Sequence, residues 1–180
     1  ASRDQEHIPV IISNDPRVPK RTKAILGAGP SPVPLLREGA RRLVRAGANF
    51  IVIPCLTAHA FIPDFAATIK IPFVDIVEET LSDVRKTWPK LRRAGLLAST
   101  GTLKSGLFQS AFEKARINIL LPGEGAQVRV MGAIFGPRGI KAGFTTGRPR
   151  KIVLEAAHDL IRQGAEAIIA GCTEVPLVLR

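Results

Sequence analysis

The chain has 180 residues, 46% of them apolar, and a formal net charge of +11. That length and apolar content supply a real core, enough for one large or two small domains. The positive balance admits nucleic acid, an anionic surface or a small acidic substrate. Zinc-finger spacing and aromatic-Gly RNA-binding motifs are missing, and a single Trp with no Tyr offers bases a poor stacking platform, so the reading is no nucleic-acid partner. No apolar run reaches the roughly 20 residues of a bilayer span, and no signal peptide is visible at the start. Two cysteines do not make a secreted disulfide framework, which points to a cytoplasmic protein with reduced thiols. The chain opens on Ala1 rather than Met and stops soon after an apolar run, so an incomplete or processed copy is expected.

Residues 8–13 are a short apolar run and are expected to form a buried strand. Asn14-Asp15-Pro16 to Arg21 is irregular, and residues 22–26 begin a helical turn. Ser31-Pro32 suits an N-cap followed by Pro at the first helical position, for a helix running to about Ala46. A strand is expected at 49–54, a helix from near Thr57 with a break at Pro63, and a strand at 71–75. Next come a helix over 76–87 closed by Pro89, a strand over 93–98, the small-residue turn Ser99-Thr100-Gly101-Thr102 and a helix over 103–115. A strand at 117–121 ends at Pro122-Gly123, and 126–140 reads as a strand or turn near Val128 followed by a short helix. The loop Gly143 to Gly147 leads into a helix over 149–163, and a strand at 166–170 ends at Gly171-Cys172. Continuous apolar strands alternating with helices are the pattern of an α/β fold with a parallel sheet covered on both faces. Ligands of such folds bind at the carboxyl ends of strands, where Cys55, Ser99-Thr100 and Cys172 fall.

One stretch occurs twice. Residues 38–55 and 155–172 align without a gap at an offset of 117, with 8 of 18 positions identical. Each copy reads as an amphipathic helix, a Gly that ends it, an apolar strand, and a Cys where the strand stops. These are the only two cysteines, so the repeat describes a pseudo-symmetric site with one thiol per half. A free Cys alone reads as a small core hydrophobe. Two at equivalent strand ends read as a pair, each before a helix N-terminus whose N–H groups and dipole are expected to lower the thiol pKa. Facing one ligand from opposite sides, one thiol removes a proton from carbon and the other delivers one, inverting a stereocentre without a cofactor. Metal is not expected, because two Cys and three distant His lack ligand spacing.

Thr57, Ser99, Thr100, Thr102 and Thr173 stand at strand-end turns that enter helices. Their hydroxyls and N–H groups suit a carboxylate, or equally a plain helix cap. Arg21 and Lys141 either pair with a substrate carboxylate or are solvated charges. His59, four residues after Cys55, shares its helical face if the helix has begun, and Glu174 stands in the matching place for Cys172.

These residues carry a resemblance. Ile8 to Arg21, Pro54-Cys55-Leu56-Thr57-Ala58-His59, Leu97 to Thr102, Gly139-Ile140-Lys141-Ala142-Gly143 and Gly171-Cys172-Thr173-Glu174-Val175-Pro176 together resemble the cofactor-independent aspartate/glutamate racemase family, within it the aspartate racemase branch. The resemblance implies two pseudo-symmetric Rossmann-like domains with the active site in the cleft between them. It divides the chain at 1–73 and 74–180, the last segment packing back on the first domain. It implies catalytic thiols at Cys55 and Cys172, and substrate contacts from Arg21, Leu56, Thr57, Ser99, Thr100, Lys141, Thr173 and Glu174. It further implies a small acidic amino-acid substrate, no cofactor, and a homodimer.

Two departures qualify it. The family motif after the first Cys reads Asn-Thr, and here it reads Leu56-Thr57. Losing one such hydrogen bond to a charged group costs about 1.5–3 kcal/mol of binding, and an aliphatic neighbour raises a thiol pKa. The family's leading strand with its Gly-rich turn and its last helix lie outside these 180 residues. Isomerase or decarboxylase chemistry on another diacid, and a catalytically degenerate ligand-binding paralogue, therefore stay open beside the racemase.

Overall fold

The structure, a computed structural model, describes residues 1–179. The longest continuous strand in it, β1 (Arg93–Ala98), is buried along all but its first residue. It lies between β2 (Asn118–Leu120) and β3 (Ala167–Gly171), parallel to both. Ala94, Leu96 and Ala98 point to one face of this sheet and Leu97 to the other, as the two-residue period of a strand requires. The first face is covered by α3 (Ile76–Thr87) and α5 (Leu107–Lys114), through Val77, Leu81, Phe108 and Phe112. The second is covered by α6 (Glu124–Phe135) and α7 (Arg148–Arg162), through Val130, Ile134, Val153 and Leu160. α7 comes so close that a Cβ on Gly95 would stand 3.0 Å from Leu160 Cβ.

The order β2-β1-β3 matters for function. The chain leaves β1 to one side to form β2, then crosses back to form β3 on the other. The carboxyl ends of β1 and β3 therefore flank a topological switch point, where an open α/β sheet has its crevice.

The first 75 residues are held differently. α1 (Arg21–Ile25) and α2 (Val33–Arg45) precede a 3-10 helix over Leu56–Asp64. A separate small core joins Ala40, Ile51 and Phe65 to Val33, Leu36, Leu43, Ile71 and Phe73. Asp15 ties the irregular loop to α2, 2.7 Å from Arg17 and 3.3 Å from Arg42.

Several expectations change. The strands at 49–54 and 71–75 shrink to one parallel bridge, Ile51 to Phe73. On one side Pro72 has no N–H to give residue 49, and on the other the Ile53 carbonyl is taken by Cys55 N–H at 2.7 Å, so the ladder stops at Ile51. Residues 8–13 carry no strand, and Ile8, Val10 and Ile12 are exposed by 74% or more. An apolar run becomes a strand only where a neighbour takes its backbone groups, and no such bond is described for it. The helix expected over 103–115 starts earlier and divides in two. Ser99 caps α4 (Thr100–Ser105) by accepting from Thr102 N–H, and Gly106 at φ +70° separates it from α5. The strand or turn near Val128 is α6: Gln127, Val130, Ala133 and Ile134 are buried at helical spacing, while Val128 faces out.

Candidate functional site

Ala98 pairs with Gly171 in register, so the next residues, Ser99 and Cys172, leave neighbouring strand ends side by side. Ser99 is buried and its hydroxyl lies 3.0 Å from Thr57 Oγ1 and 3.2 Å from Thr102 Oγ1. Thr57 closes the triangle at 2.8 Å to Thr102. Cys55 stands just before Thr57, at the start of the 3-10 helix. The two cysteine-bearing turns therefore converge on Ser99, one through a hydroxyl hydrogen bond and one through strand register. Both thiols are free and half-buried.

The close approach of the two halves depends on Gly101. A Cβ there would lie 2.6 Å from Thr22 Oγ1, 2.8 Å from Thr57 Cγ2 and 2.9 Å from Thr22 Cα. Only a hydrogen leaves room for α1 and the Thr57 turn against α4. This brings Arg21 to the site's flank, with its guanidinium tied to Val18 O at 3.3 Å and Pro19 O at 3.1 Å.

A second cluster surrounds Cys172. Its thiol donates to Glu174 Oε2 at 2.8 Å, and Thr173 Oγ1 donates to the same oxygen at 2.9 Å. Lys141 Nζ is 2.6 Å from Glu174 Oε1, and its ammonium lies 5.6 Å from the Phe135 ring centroid. The helix-start expectation of a lowered thiol pKa is corrected at Cys172. Burial first, and the hydrogen bond to the Glu174 carboxylate second, push it up to about 12. Burial acts to raise the Glu174 carboxyl as well, but hydrogen bonds from Cys172, Lys141 and Thr173 outweigh it and hold Glu174 below its ordinary value. At neutral pH the pair rests as thiol and carboxylate.

Leu56 is buried in the core cluster that contains Leu81 and Leu103, so it packs into the sheet's apolar face. His59 does not share a face with Cys55. A 3-10 helix has three residues per turn, and the buried ring bonds Ile53 O through Nε2 at 3.1 Å, with Nδ1 4.0 Å from Asp75 Oδ1. Thr100 is half-buried beside Ser99 and is held from α6: Gln127 Nε2 is 3.2 Å from its Oγ1, and Met131 Sδ takes its N–H at 3.2 Å. Gln127 and Met131 carry no signal in the sequence reading, and Gly101 enters it only as part of the small-residue turn. The Gly123 and Gly136-Pro137 breaks bracket a helix whose i, i+4 stripe holds the first two.

The model of the Asp/Glu/Hydantoin racemase family matches residues 1–180. The chain belongs to that family. Among its relatives is the broad specificity amino-acid racemase RacX of Bacillus subtilis, 24% identical over 144 residues, covering 79% of this chain and 59% of that protein. The glutamate racemase of Aquifex aeolicus is 28% identical over 148 residues, covering 80% of this chain and 53% of that protein. The chain thus spans a little over half the length of these curated relatives. Of solved structures, the aspartate racemase of Picrophilus torridus superposes with a TM-score of 0.84 at 24% identity, over 100% of this chain and 73% of that one. The glutamate racemase of Francisella tularensis, in complex with D-glutamate, gives 0.66 at 21% identity, over 92% of this chain and 57% of that one. The likeness to these racemase structures establishes the α/β fold with its parallel sheet. Among the described residues, no helix is long and apolar enough to cross a membrane.

Proposed function

We propose that this racemase-family chain carries the site of an amino-acid racemase that interconverts the enantiomers of aspartate or glutamate with two thiols and no cofactor. The observation that carries the reading is the convergence of the Cys55 and Cys172 turns on Ser99 at the switch point. The substrate lies over Ser99 and Thr100 with its α-carbon between the thiols. One thiolate takes the α-proton: the Cα–H bond breaks, an S–H bond forms, and the electron pair stays on carbon. The opposite thiol gives its proton to the other face, its S–H electrons remaining on sulfur. The strongly proton-retaining Cys172 suits the donor role, with Cys55 as base. In the reverse direction the base is the Cys172 thiolate left by that donation, with Lys141 offsetting the charge of the neighbouring Glu174 carboxylate.

The Thr100 hydroxyl, with the positive charges of Arg21 and Lys141, supplies a donor and charge for an acidic substrate, while the hydroxyls of Thr57 and Ser99 are engaged with each other and Thr102, and that of Thr173 with Glu174. The apolar clusters favour a division near residue 73: one core lies within 33–73, and the other two within 76–179 apart from Leu56. A homodimer, implied by the family resemblance, and a cytoplasmic setting, read from the two reduced cysteines, belong to this proposal. The test is incubation with L-aspartate and L-glutamate in deuterated water, followed by NMR. Deuterium at the α-carbon is expected, and its absence with both substrates in a folded preparation refutes the reading.

A further inference from the structure

α6 presents two side chains, an amide and a thioether, that the proposed chemistry leaves unused. Gln127 is 8% exposed, and Met131 stands one turn later on the same stripe of helix. Gln127 Nε2 lies 3.0 Å from Ala98 O and 3.2 Å from Thr100 Oγ1. A carbonyl oxygen only accepts, so the atom facing Ala98 O is the amide nitrogen. Its second N–H therefore meets Thr100 Oγ1, which accepts there. That leaves the single hydroxyl proton of Thr100 to be donated elsewhere. The Thr100 backbone N–H is one of the first-turn donors of α4 that has no partner inside the helix. Met131 Sδ accepts it at 3.2 Å. One helix thus sets both the hydroxyl and the backbone of Thr100.

Gln127 Oε1 is buried without a partner. One N–H of the amide satisfies the buried strand-end carbonyl of Ala98, which is a structural role. The other N–H goes to Thr100, and there it sets the direction of a hydroxyl rather than filling a backbone bond.

We infer that Gln127 and Met131 are positioning residues that fix the Thr100 hydroxyl as a donor, setting this strand end to receive an anionic group such as a carboxylate. A hydroxyl already accepting from Gln127 meets a substrate oxygen with its proton and favours an acceptor over a donor. The inference rests on the proposed racemase site for the identity of the anion, and deepens it by naming what orients one of its donors.

The test compares Gln127→Met, Thr100→Val and the double variant with L-aspartate in deuterated water. Gln127→Met keeps side-chain length and removes the N–H. The KM is expected to rise about tenfold, with kcat within about threefold of the original and a somewhat lower melting temperature, because Ala98 O loses its donor. Thr100→Val should raise KM similarly, and the double variant should be no worse than Thr100→Val alone, since both changes act through one hydroxyl. Multiplying KM effects, or a fall in kcat and melting temperature at constant KM, overturns the inference. Should the unaltered protein exchange no α-proton, the racemase reading fails separately and amide hydrogen exchange judges the positioning. Exchange at Thr100 about tenfold faster in Met131→Leu, with α7 unaffected, supports it; unchanged exchange at Thr100 overturns it.

Discussion

Gly101→Ala sets two physical effects against each other. In α4 an alanine is the better helix former, by about 1 kcal/mol over glycine. The added methyl would sit 2.6 Å from Thr22 Oγ1, 2.8 Å from Thr57 Cγ2 and 2.9 Å from the Thr22 backbone Cα. Carbon atoms rest about 3.5–4.0 Å apart, so α1 and the Thr57 turn must retreat by roughly 0.7–1 Å. Overpacking of this kind costs about 1–3 kcal/mol, which exceeds the propensity gain. The same retreat stretches the 3.0 Å and 2.8 Å bonds from Thr57 to Ser99 and Thr102 past hydrogen-bond range. It draws the Cys55 turn away from the strand ends, and misplacement by about 1 Å costs on the order of a hundredfold in rate. Urea denaturation is expected to show a net loss of up to about 2 kcal/mol, with α-proton exchange on aspartate down about a hundredfold. A variant that is more stable than the original and equally active refutes the idea that this contact joins the two cysteine turns.

Three further outcomes follow from the site. The Cys172 thiol keeps its proton in the folded protein up to about 12, against an ordinary value of 9.0. The unfolded chain loses that proton first, so this group's contribution to stability is whole below pH 9 and falls away as pH rises towards 12. Denaturation of the original and Cys172→Ala proteins from about pH 8 to about pH 11 should show the steeper decline in the original. Glu174→Gln removes a negative charge and a strong acceptor from the thiol, so in a Cys55→Ala background Cys172 should alkylate with iodoacetamide faster at fixed pH, and the same change in the two-thiol protein should lower racemisation. Equal alkylation rates would sever Glu174 from the thiol. Thr57→Val, nearly isosteric, leaves Ser99 and Thr102 with each other and should cost about 1–2 kcal/mol in thermal or urea unfolding. No loss would mean the hydroxyl triangle does not tie the halves.

The second half was the more legible part of the sequence. Residues 93–98 and 166–170 read as buried parallel strands because both faces are covered, and Arg93–Ala98 and Ala167–Gly171 are the strands found. The run at 8–13 has equal apolar character but no ladder partner, and apolar character alone does not make a strand. Pro72 and the tight turn from Ile53 to Cys55 confine pairing in the first half to Ile51. For the site, the offset of 117 between Cys55 and Cys172 reads directly from the chain. The polarity of the environment does not: a helix start beside Cys172 was expected to favour thiolate, and burial with the Glu174 carboxylate reverses the sign. Gln127 and Met131 stayed hidden because their meaning depends on the one strand end that α6 crosses.

The claim that two sulfhydryls act from opposite faces of one carbon is tested most directly by early-time isotope placement. Starting from protiated L-aspartate in deuterated water, the account predicts D-aspartate carrying deuterium while recovered L-aspartate carries none, with racemisation lost in both Cys55→Ala and Cys172→Ala. Protium retained in the D-product, or deuterium entering recovered substrate as fast as product forms, would mean that a single base serves both faces and would contradict it.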